Sequence, residues 1–462
     1  MKETTLKNPN QTRVSERIAY GVFFLGQGFI YSMISRYLMI YLTDYVHIST
    51  AIVTVLLTAS KFWDAVNDTL FGVVVDKVRF KSGNRFRPWL NLSTLILPVG
   101  TILLFAVPGG AAQGVKATWA VAAYLIWDLL YTMCDVPIFS LVTTMTNNIR
   151  ERGNIYTIAG IGGAIATALT SLFLVQIFDR VGFLYTAITV SALGLLFMRP
   201  IVHLAKERHR PTEKEREQNA TLRDMWVYVK GNKYLRYFIV YRLISGSTFI
   251  SVLTYFTKHC LNDIRFETTI MLVAIPFSAV LYLCAPLLMK RFNKISIYRV
   301  CMVLVILAYG TLYFVGYESK WLMVALLVCA LDAAIIPSIL MSAIPADCVE
   351  YGCYKTGIRK EGITFAMQSF TNKFCSSVAT ALAGVLLMLI GYDSESGAMM
   401  NEAQQAGLFA GMCWFPIVGQ LIGLPLLFKY KLRDRDVQIM ADVNEGKLPR
   451  EEAERLFAGR YD

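Results

Sequence analysis

Long apolar stretches recur along almost the whole of this chain, and they limit the folds open to it. A helix that crosses a bilayer needs roughly 20 mainly apolar residues. Several stretches contain Gly or Pro, which such helices tolerate when neighbouring helices cover the freed backbone groups. The pattern predicts an all-α membrane protein with twelve transmembrane helices, at residues 18–43, 51–76, 89–107, 117–145, 155–178, 182–204, 236–256, 268–289, 296–316, 322–347, 362–391 and 405–430.

Charged residues are few and unevenly placed. They make up 17% of the chain, against about 25% in a typical soluble domain. The net charge of +12 is compatible with a nucleic-acid partner, but most Lys and Arg lie at the termini and in alternate connections. This positive-inside asymmetry places both termini in the cytoplasm, so we expect no nucleic-acid partner. The opposite connections carry only Lys116, Arg180, Lys258, Arg265 and Lys320.

The polar segments divide the chain into two halves. Residues 1–17 lack the apolar core of a cleavable signal peptide. IRERG at 149–153 and IRKEG at 358–362 stand in equivalent connections, which favours a duplication. Two six-helix halves joined by a charged linker are typical of parallel-repeat carriers. The predicted organisation is a cytoplasmic N-terminus (1–17), an N-terminal six-helix bundle (18–205), a cytoplasmic linker (206–235), a C-terminal six-helix bundle (236–430) and a cytoplasmic tail with one short amphipathic helix (431–462).

Ionisable residues occur inside the second apolar stretch. Such groups cost roughly 2.5–3.5 kcal/mol each on insertion scales, and those that persist are usually functional. Asp64 and Asp68 lie one helical turn apart on one face, with Lys61 and Asn67 beside them. One interpretation is a buried ion pair in which Lys61 neutralises an acid. The other is a site for a small cation, Na⁺, Li⁺ or H⁺, bound by hard oxygen ligands.

The fourth stretch repeats this pattern. Asp128 and Asp135 are seven residues apart and share a helix face with Tyr131 and Thr132 near them. Acids on two stretches exceed what one lysine neutralises, which favours the cation site. The charged residues singled out in the other stretches are Arg36, Arg242, Asp332 and Lys373.

The three cationic residues of that set have different positions along their stretches. Arg242 lies about two turns into its stretch, where a long side chain can snorkel to the interface, and a cavity-facing position is the alternative. Arg36 lies deeper, which favours a cavity-facing position. Lys373 lies in mid-stretch and is expected to pair with an acid.

Motifs for catalysis are absent from the sequence. It contains neither HExxH nor GxSxG, and its nine Cys show no CxxC pair and no metal-ligand spacing. We therefore expect no enzyme, no transition-metal site and no cofactor other than a coupling cation.

The segment WDAVNDTLFG at 63–72 closely resembles the WDAxNDPxxG motif of the glycoside–pentoside–hexuronide:cation symporters. The similarity continues at YTMCDVP (131–137), at DCVEYG (347–352) and in the first stretch, and it covers residues 17–430. The resemblance implies the major facilitator fold, in which two six-helix bundles rock to give alternating access to a central site.

The resemblance also implies roles for individual residues. A cation site would comprise Asp64, Asn67, Asp68 and Thr132, while Asp135 would bind sugar hydroxyls. The predicted substrate site comprises Asp135, Lys373, Tyr131, Arg36, Arg242, Asp128 and Gln368, and the predicted gating and charge network comprises Lys61, Arg150, Asp347, Glu350 and Arg359.

The sequence departs from the family pattern where galactoside carriers hold their sugar. Gly28, Gly160 and Phe139 replace an acid, an arginine and a tryptophan. Arg36 and Arg242 stand where those carriers are uncharged, and guanidinium groups suit carboxylates or sulfonates. The sequence therefore favours an acidic, hexuronide-like sugar.

The expected function is uptake of a glycoside, pentoside or acidic sugar with Na⁺ or H⁺, by a monomer in a bacterial-type inner (plasma) membrane. The alternative is a carrier of lipids, lysolipids or other amphiphiles with the same fold. That alternative predicts an apolar cleft that opens to the bilayer.

Overall fold

The structure is a computed structural model that describes residues 12–78, 80, 84–146, 149–208, 229–250, 252–357, 361–395, 398–444 and 446–461. The backbones of Lys61, Asp64, Asp68 and Arg150 lie in described helices, but their side chains are outside the described part. The predicted network residue Arg359 lies outside the described residues altogether.

The first half of the chain forms five long helices. They are α1 (Val14–Ile40), α2 (Thr50–Lys77), α3 (Arg87–Leu104), α4 (Gln113–Met145) and α5 (Ile149–Leu204). A π-helical turn, Tyr41–Tyr45, extends α1. The 56-residue segment α5 comprises two helices that meet at Gly182, whose dihedral angles are non-helical, with φ 83°. Glycine adopts positive φ without steric cost, so α5 bends there, between the fifth and sixth predicted stretches.

The second half is more often interrupted. Its helices are α6 (Lys233–Gly246), α7 (Leu253–Tyr255) with a π-helical turn (Phe256–Cys260), α8 (Phe266–Arg291), α9 (Lys294–Val315), α10 (Lys320–Ala333), α11 (Ile335–Thr356), α12 (Glu361–Leu389) and α13 (Glu402–Lys429). The tail forms two short helices, α14 (Asp434–Asn444) and α15 (Arg450–Phe457), where the sequence predicted one.

The helices agree with the predicted all-α membrane class. Each predicted stretch overlaps one or two described helices, and the described residues contain no strand. By length and composition, eight helical segments are apolar enough to cross a membrane, and two of them, Asn154–Leu204 and Lys320–Thr356, are much longer than one crossing needs. The number of twelve crossings therefore stays a prediction. Apolar side chains such as Phe314 and Leu283 are exposed on the helices, as expected for surfaces that face lipid.

The chain divides into two compact units. Unit 1 comprises the described residues of 1–216, 253–271 and 387–401, and unit 2 those of 217–252, 272–386 and 402–462. In unit 1, α1 packs along α5, and α3 packs against α4 and α5. In unit 2, α13 packs against α6 and α9. The predicted domain boundaries rest on the sequence halves, and unit 1 contains short segments from the second half.

Candidate functional site

A buried polar cluster joins α2 to α4 inside unit 1. The side-chain amide of Asn67 donates to Asp128 Oδ2 at 3.3 Å and to Thr132 Oγ1 at 3.1 Å. All three residues are at most 4% exposed. Asp128 and Thr132 are four residues apart on α4 and so share one face. We call these three residues the α2–α4 cluster.

The predicted acids of α2 belong to the same region by helical spacing. Asp64 precedes Asn67 by three residues, and positions three or four apart lie on one helix face. Asp68 follows one turn after Asp64. Their side chains are not described, so their membership of the α2–α4 cluster stays a prediction.

Further polar and aromatic side chains of α4 lie beside the α2–α4 cluster, and Asp135 is one turn beyond Thr132. Gln27 of α1 donates from Nε2 to Asp135 Oδ1 at 2.9 Å. The ring of Tyr131 stacks on Trp127, with centroids 5.1 Å apart, and lies 5.6 Å from the ring of Tyr31. A carboxylate and amide beside aromatic faces can take hydroxyl groups and the apolar face of a sugar ring.

Arg36 lies in a buried polar group of unit 1. Its Nη1 donates to Ser171 Oγ and is 3.9 Å from Glu267 Oε1. The Glu267 carboxylate also accepts from Tyr37 Oη at 3.3 Å and from Thr254 Oγ1 at 2.8 Å. The Arg36 charge is therefore balanced by an acid that the sequence analysis did not single out.

A second acid-centred group was also missed. Asp44 accepts from Lys258 Nζ at 2.6 Å and from Tyr392 Oη at 2.7 Å, and its Oδ2 is 2.9 Å from His259 Nε2. Burial and the nearby Asp44 raise the pKa of Tyr392, so its hydroxyl stays protonated and donates. These four residues, the Asp44 cluster, lie in unit 1 although they come from both halves of the sequence. The sequence shows each only as a polar residue near the end of a stretch.

Unit 2 contains the other predicted substrate residues. The Arg242 guanidinium on α6 is 3.4 Å from Asn372 Oδ1 on α12. Gln368 lines the same cavity as these two residues, and its Oε1 is buried without a hydrogen-bond partner among the described residues. Lys373 is half-buried on α12, next to Asn372.

Two predicted network residues connect α11 to the start of α9 and to the tail. Lys294 Nζ donates to both oxygens of Asp347, at 2.7 and 2.6 Å. Asn444 of α14 donates to Glu350 Oε2 at 3.0 Å. In unit 2, Asp347 thus connects α11 to the start of α9, and Glu350 connects α11 to α14.

Within the described part of the chain, no group of three or more His, Cys, Asp or Glu side chains is arranged to hold a metal ion. An apolar groove in unit 1 runs along α2 and α4, lined by Ala51, Ile52, Val55, Leu56, Ala59, Ser60, Trp63, Val121 and Leu125.

Comparison with solved structures identifies the fold. The chain is similar to the nucleoside transporter NupG, with a TM-score of 0.63, 13% identity and coverage of 91% of this chain and 100% of that one. At this identity the likeness shows the fold alone.

The chain belongs to the MFS/sugar transport protein family, whose model matches residues 19–434. It is 27% identical to the isoprimeverose transporter of Lactiplantibacillus pentosus, over 94% of this chain and 92% of the relative. It is 24% identical to the glucuronide carrier protein homolog of Escherichia coli, over 93% and 95%. The resemblance to the glycoside–pentoside–hexuronide:cation symporters is confirmed, and the protein is a transporter.

Proposed function

We propose that this protein is a secondary active symporter that takes up a glycoside, pentoside or acidic sugar together with Na⁺ or H⁺. The proposal is supported by relatives named for an isoprimeverose and a glucuronide. Two six-helix bundles, 18–205 and 236–430, give alternating access. The carrier is a monomer in a bacterial-type inner membrane, with both termini in the cytoplasm, as the positive-inside pattern predicts.

The α2–α4 cluster is the observation on which the coupling mechanism rests. Because the Asn67 amide nitrogen donates to two acceptors on α4, its amide oxygen is turned away from them. The Asp128 carboxylate and the Thr132 hydroxyl are hard ligands of the kind that Na⁺ and Li⁺ take, and the Asn67 oxygen joins them when its amide group turns over. With Asp64 and Asp68 added from α2, the site carries enough negative charge to bind a cation or to retain a proton.

A cation at this site connects α2 to α4 and couples its own binding to that of the sugar. It reduces the repulsion between carboxylates on α2 and α4, and so fixes the part of α4 that carries Tyr131 and Asp135. A sugar then binds to an ordered Asp135 and raises the cation affinity by the same factor, because coupling between two sites is reciprocal. The membrane potential adds about 2.3 kcal/mol per charge per 100 mV to accumulation.

The amphiphile alternative has one observation in its favour, the apolar groove along α2 and α4. Helices that face lipid present such apolar surfaces in any membrane protein. The groove has a single hydroxyl side chain, Ser60, in its lining, while the polar residues that would couple transport are buried elsewhere. We therefore propose a sugar symporter and not an amphiphile carrier.

The proposal is tested by uptake into proteoliposomes with an imposed Na⁺ or H⁺ gradient. We expect Asp68→Cys to abolish accumulation above equilibrium, because the cation site loses a charged ligand, while exchange at equal concentrations continues. Asp263→Cys, in an exposed loop, removes the same charge away from the site and should accumulate sugar normally. Normal accumulation by the Asp68 variant would refute the cation site.

A further inference from the structure

Asp332 is an acid in the middle of an apolar stretch, and the proposed coupling mechanism does not use it. It is the last residue but one of α10 and is 7% exposed. Ser278 of α8 donates from Oγ to Asp332 Oδ1 at 2.6 Å. The other carboxylate oxygen, Oδ2, is buried and has no hydrogen-bond partner among the described residues. Half of this carboxyl group is therefore without a described ligand.

The described surroundings of Asp332 also contain no balancing charge. Its carboxyl group has one described polar partner, the Ser278 hydroxyl, and no described Lys, Arg or His forms an ion pair with it. By contrast, the buried acids Glu267 and Asp44 each lie beside a cationic side chain. An uncompensated carboxylate is costly in an apolar interior, where such a group usually becomes neutral. The charged form of Asp332 therefore does not suit its surroundings.

The helices around Asp332 carry their titratable groups elsewhere. The nearest such group along α10 is Cys329, and along α8, counted from Ser278, it is Tyr282; both are exposed. Helices α9 and α11 pack against α10, and the titratable residues of α11 begin at Asp347, about four turns after Asp332. None of the following described residues of α8, α9 and α10 interacts with Asp332: Glu267, Cys284, Lys290, Arg291, Lys294, Tyr298, Arg299, Cys301, Tyr309, Tyr313 and Lys320.

The helix is broken immediately beside this acid. Helix α10 ends at Ala333 and α11 begins at Ile335, and the N–H of Ala334 donates back to Leu331 O at 3.2 Å. Pro337 has no N–H, so it cannot donate to the carbonyl of Ala333 four residues earlier. The last turn of a helix carries unpaired carbonyl groups and the negative end of the helix dipole. This end of α10 disfavours a carboxylate and can accept a hydrogen bond from a protonated carboxyl group.

We propose that Asp332 and Ser278 form a second cation site of this carrier, and that the cation is a proton. Asp332 carries the proton on Oδ2 in this structure, while Oδ1 accepts from Ser278. When water reaches the break between α10 and α11, the O–H bond breaks, the proton passes to water and the negative charge stays on the carboxylate. Interrupted helices of secondary transporters bind coupling ions at such half-helix ends. The site lies in unit 2, whereas the α2–α4 cluster lies in unit 1.

The number of ligands favours a proton over a metal ion at this site. The described side chains that meet here offer one carboxylate and one hydroxyl, whereas oxygen-bound ions such as Mg²⁺ and Ca²⁺ take roughly six or more oxygen atoms. A proton needs a single oxygen atom. The inference goes beyond the proposed function, because it adds a proton site in unit 2 whichever cation or solute the α2–α4 cluster couples.

Infrared spectroscopy of the purified full-length carrier tests this site in the absence of any sugar. At neutral pH, wild type should show the C=O stretching band of a protonated carboxyl group, which shifts after exchange into D₂O. Asp332→Asn is neutral and similar in shape, so it should fold and lose this band, and the difference spectrum isolates the Asp332 carboxyl group. Asp263→Asn removes an exposed acid of unit 1 and is the matched control, which should keep the band.

Ser278→Ala is the second variant and covers the case in which Asp332→Asn does not fold. The carbonyl oxygen of Asp332 loses its hydrogen bond there, so the band should move to higher frequency and keep its intensity. Identical carboxyl bands in wild type and Asp332→Asn, or an unchanged band in Ser278→Ala, would overturn the site and leave the proposed sugar symporter standing. Failure of sugar uptake into proteoliposomes would contradict the proposed function and leave this site standing.

Discussion

Arg36 and Glu267 come from distant parts of the sequence and meet in unit 1 with Nη1 and Oε1 3.9 Å apart. Glu267 is only 2% exposed, and an unpaired charge at such a depth is costly. The guanidinium therefore compensates a carboxylate that also orders Tyr37 and Thr254. This arrangement pairs Arg36 with an acid inside unit 1, and its place in the substrate site stays a prediction.

A double-mutant cycle measures the coupling between Arg36 and Glu267. We expect Arg36→Gln and Glu267→Gln each to lower the unfolding temperature in detergent, because each leaves the other charge buried without its partner. The double variant should recover much of the loss, with a coupling free energy of roughly 0.5–3 kcal/mol. Additive losses would show that the two groups do not act as a pair.

The sequence predicted which residues belong to the candidate site better than it predicted their contacts. The sequence singled out Asp128 as an acid inside an apolar stretch, the family resemblance indicated Asn67 and Thr132, and the structure brings these three together. Their function stays a prediction. The sequence pattern did not single out Glu267 and Asp44. An acid at the end of an apolar stretch has the same pattern whether it is solvated or buried by a distant helix.

At the scale of elements, α1 and α5 approach each other through glycine. A Cβ at Gly162 would collide with the backbone carbonyl of Gly21. Small residues at such positions let membrane helices approach closely, because lipid supplies no hydrophobic force between them. The contact fixes α1, which carries Gln27 and Arg36, against the rest of unit 1.

Gly162→Ala tests this packing. The added methyl forces the two backbones apart, and we expect a loss of at least about 1–3 kcal/mol, the usual cost of overpacking, seen as a lower unfolding temperature. Gly160→Ala on the same helix is the control. Nothing lies within 4 Å of a Cβ there, and alanine favours a helix over glycine, so it should be neutral or stabilising. Equal effects of the two changes would contradict the close contact.

The interruptions of the helices were less predictable than their positions. Hydrophobicity placed the helices of both halves, but it treated 236–256 as one stretch, whereas the structure has a gap between Gly246 and Leu253. Local composition does not show such a break, because it depends on tertiary neighbours. One example is Gly419, whose missing side chain makes room for Thr248.

At the scale of the whole molecule, the Asp44 cluster connects the two halves of the sequence. Lys258 and His259 follow α7, and Tyr392 follows α12, yet all three meet Asp44 at the end of α1 within unit 1. Ser394 adds hydrogen bonds to Ile48 and Thr50 nearby. The carboxylate is thus the common acceptor for segments far apart in the chain.

Asp44→Asn should loosen this end of unit 1. The amide cannot balance Lys258, so we expect a lower unfolding temperature and faster maleimide labelling of the buried Cys260, the last residue of the π-helical turn beside the cluster. Asp263→Asn, in the exposed connection a few residues further on, is the matched control and should behave like wild type. Labelling and stability unchanged in the Asp44 variant would show that the cluster contributes little.

Coupling between cation and sugar is the central claim, and equilibrium binding measures it most directly. Affinity for methyl β-D-glucuronide and for its neutral counterpart methyl β-D-glucoside is determined at constant ionic strength in Na⁺, Li⁺ or choline over a range of pH, and the sugar that binds more tightly is used. We predict at least about tenfold tighter sugar binding with one of these cations or at lower pH, and an equal rise in cation affinity with sugar. A sugar affinity that is the same in all three cations and at every pH would contradict the account.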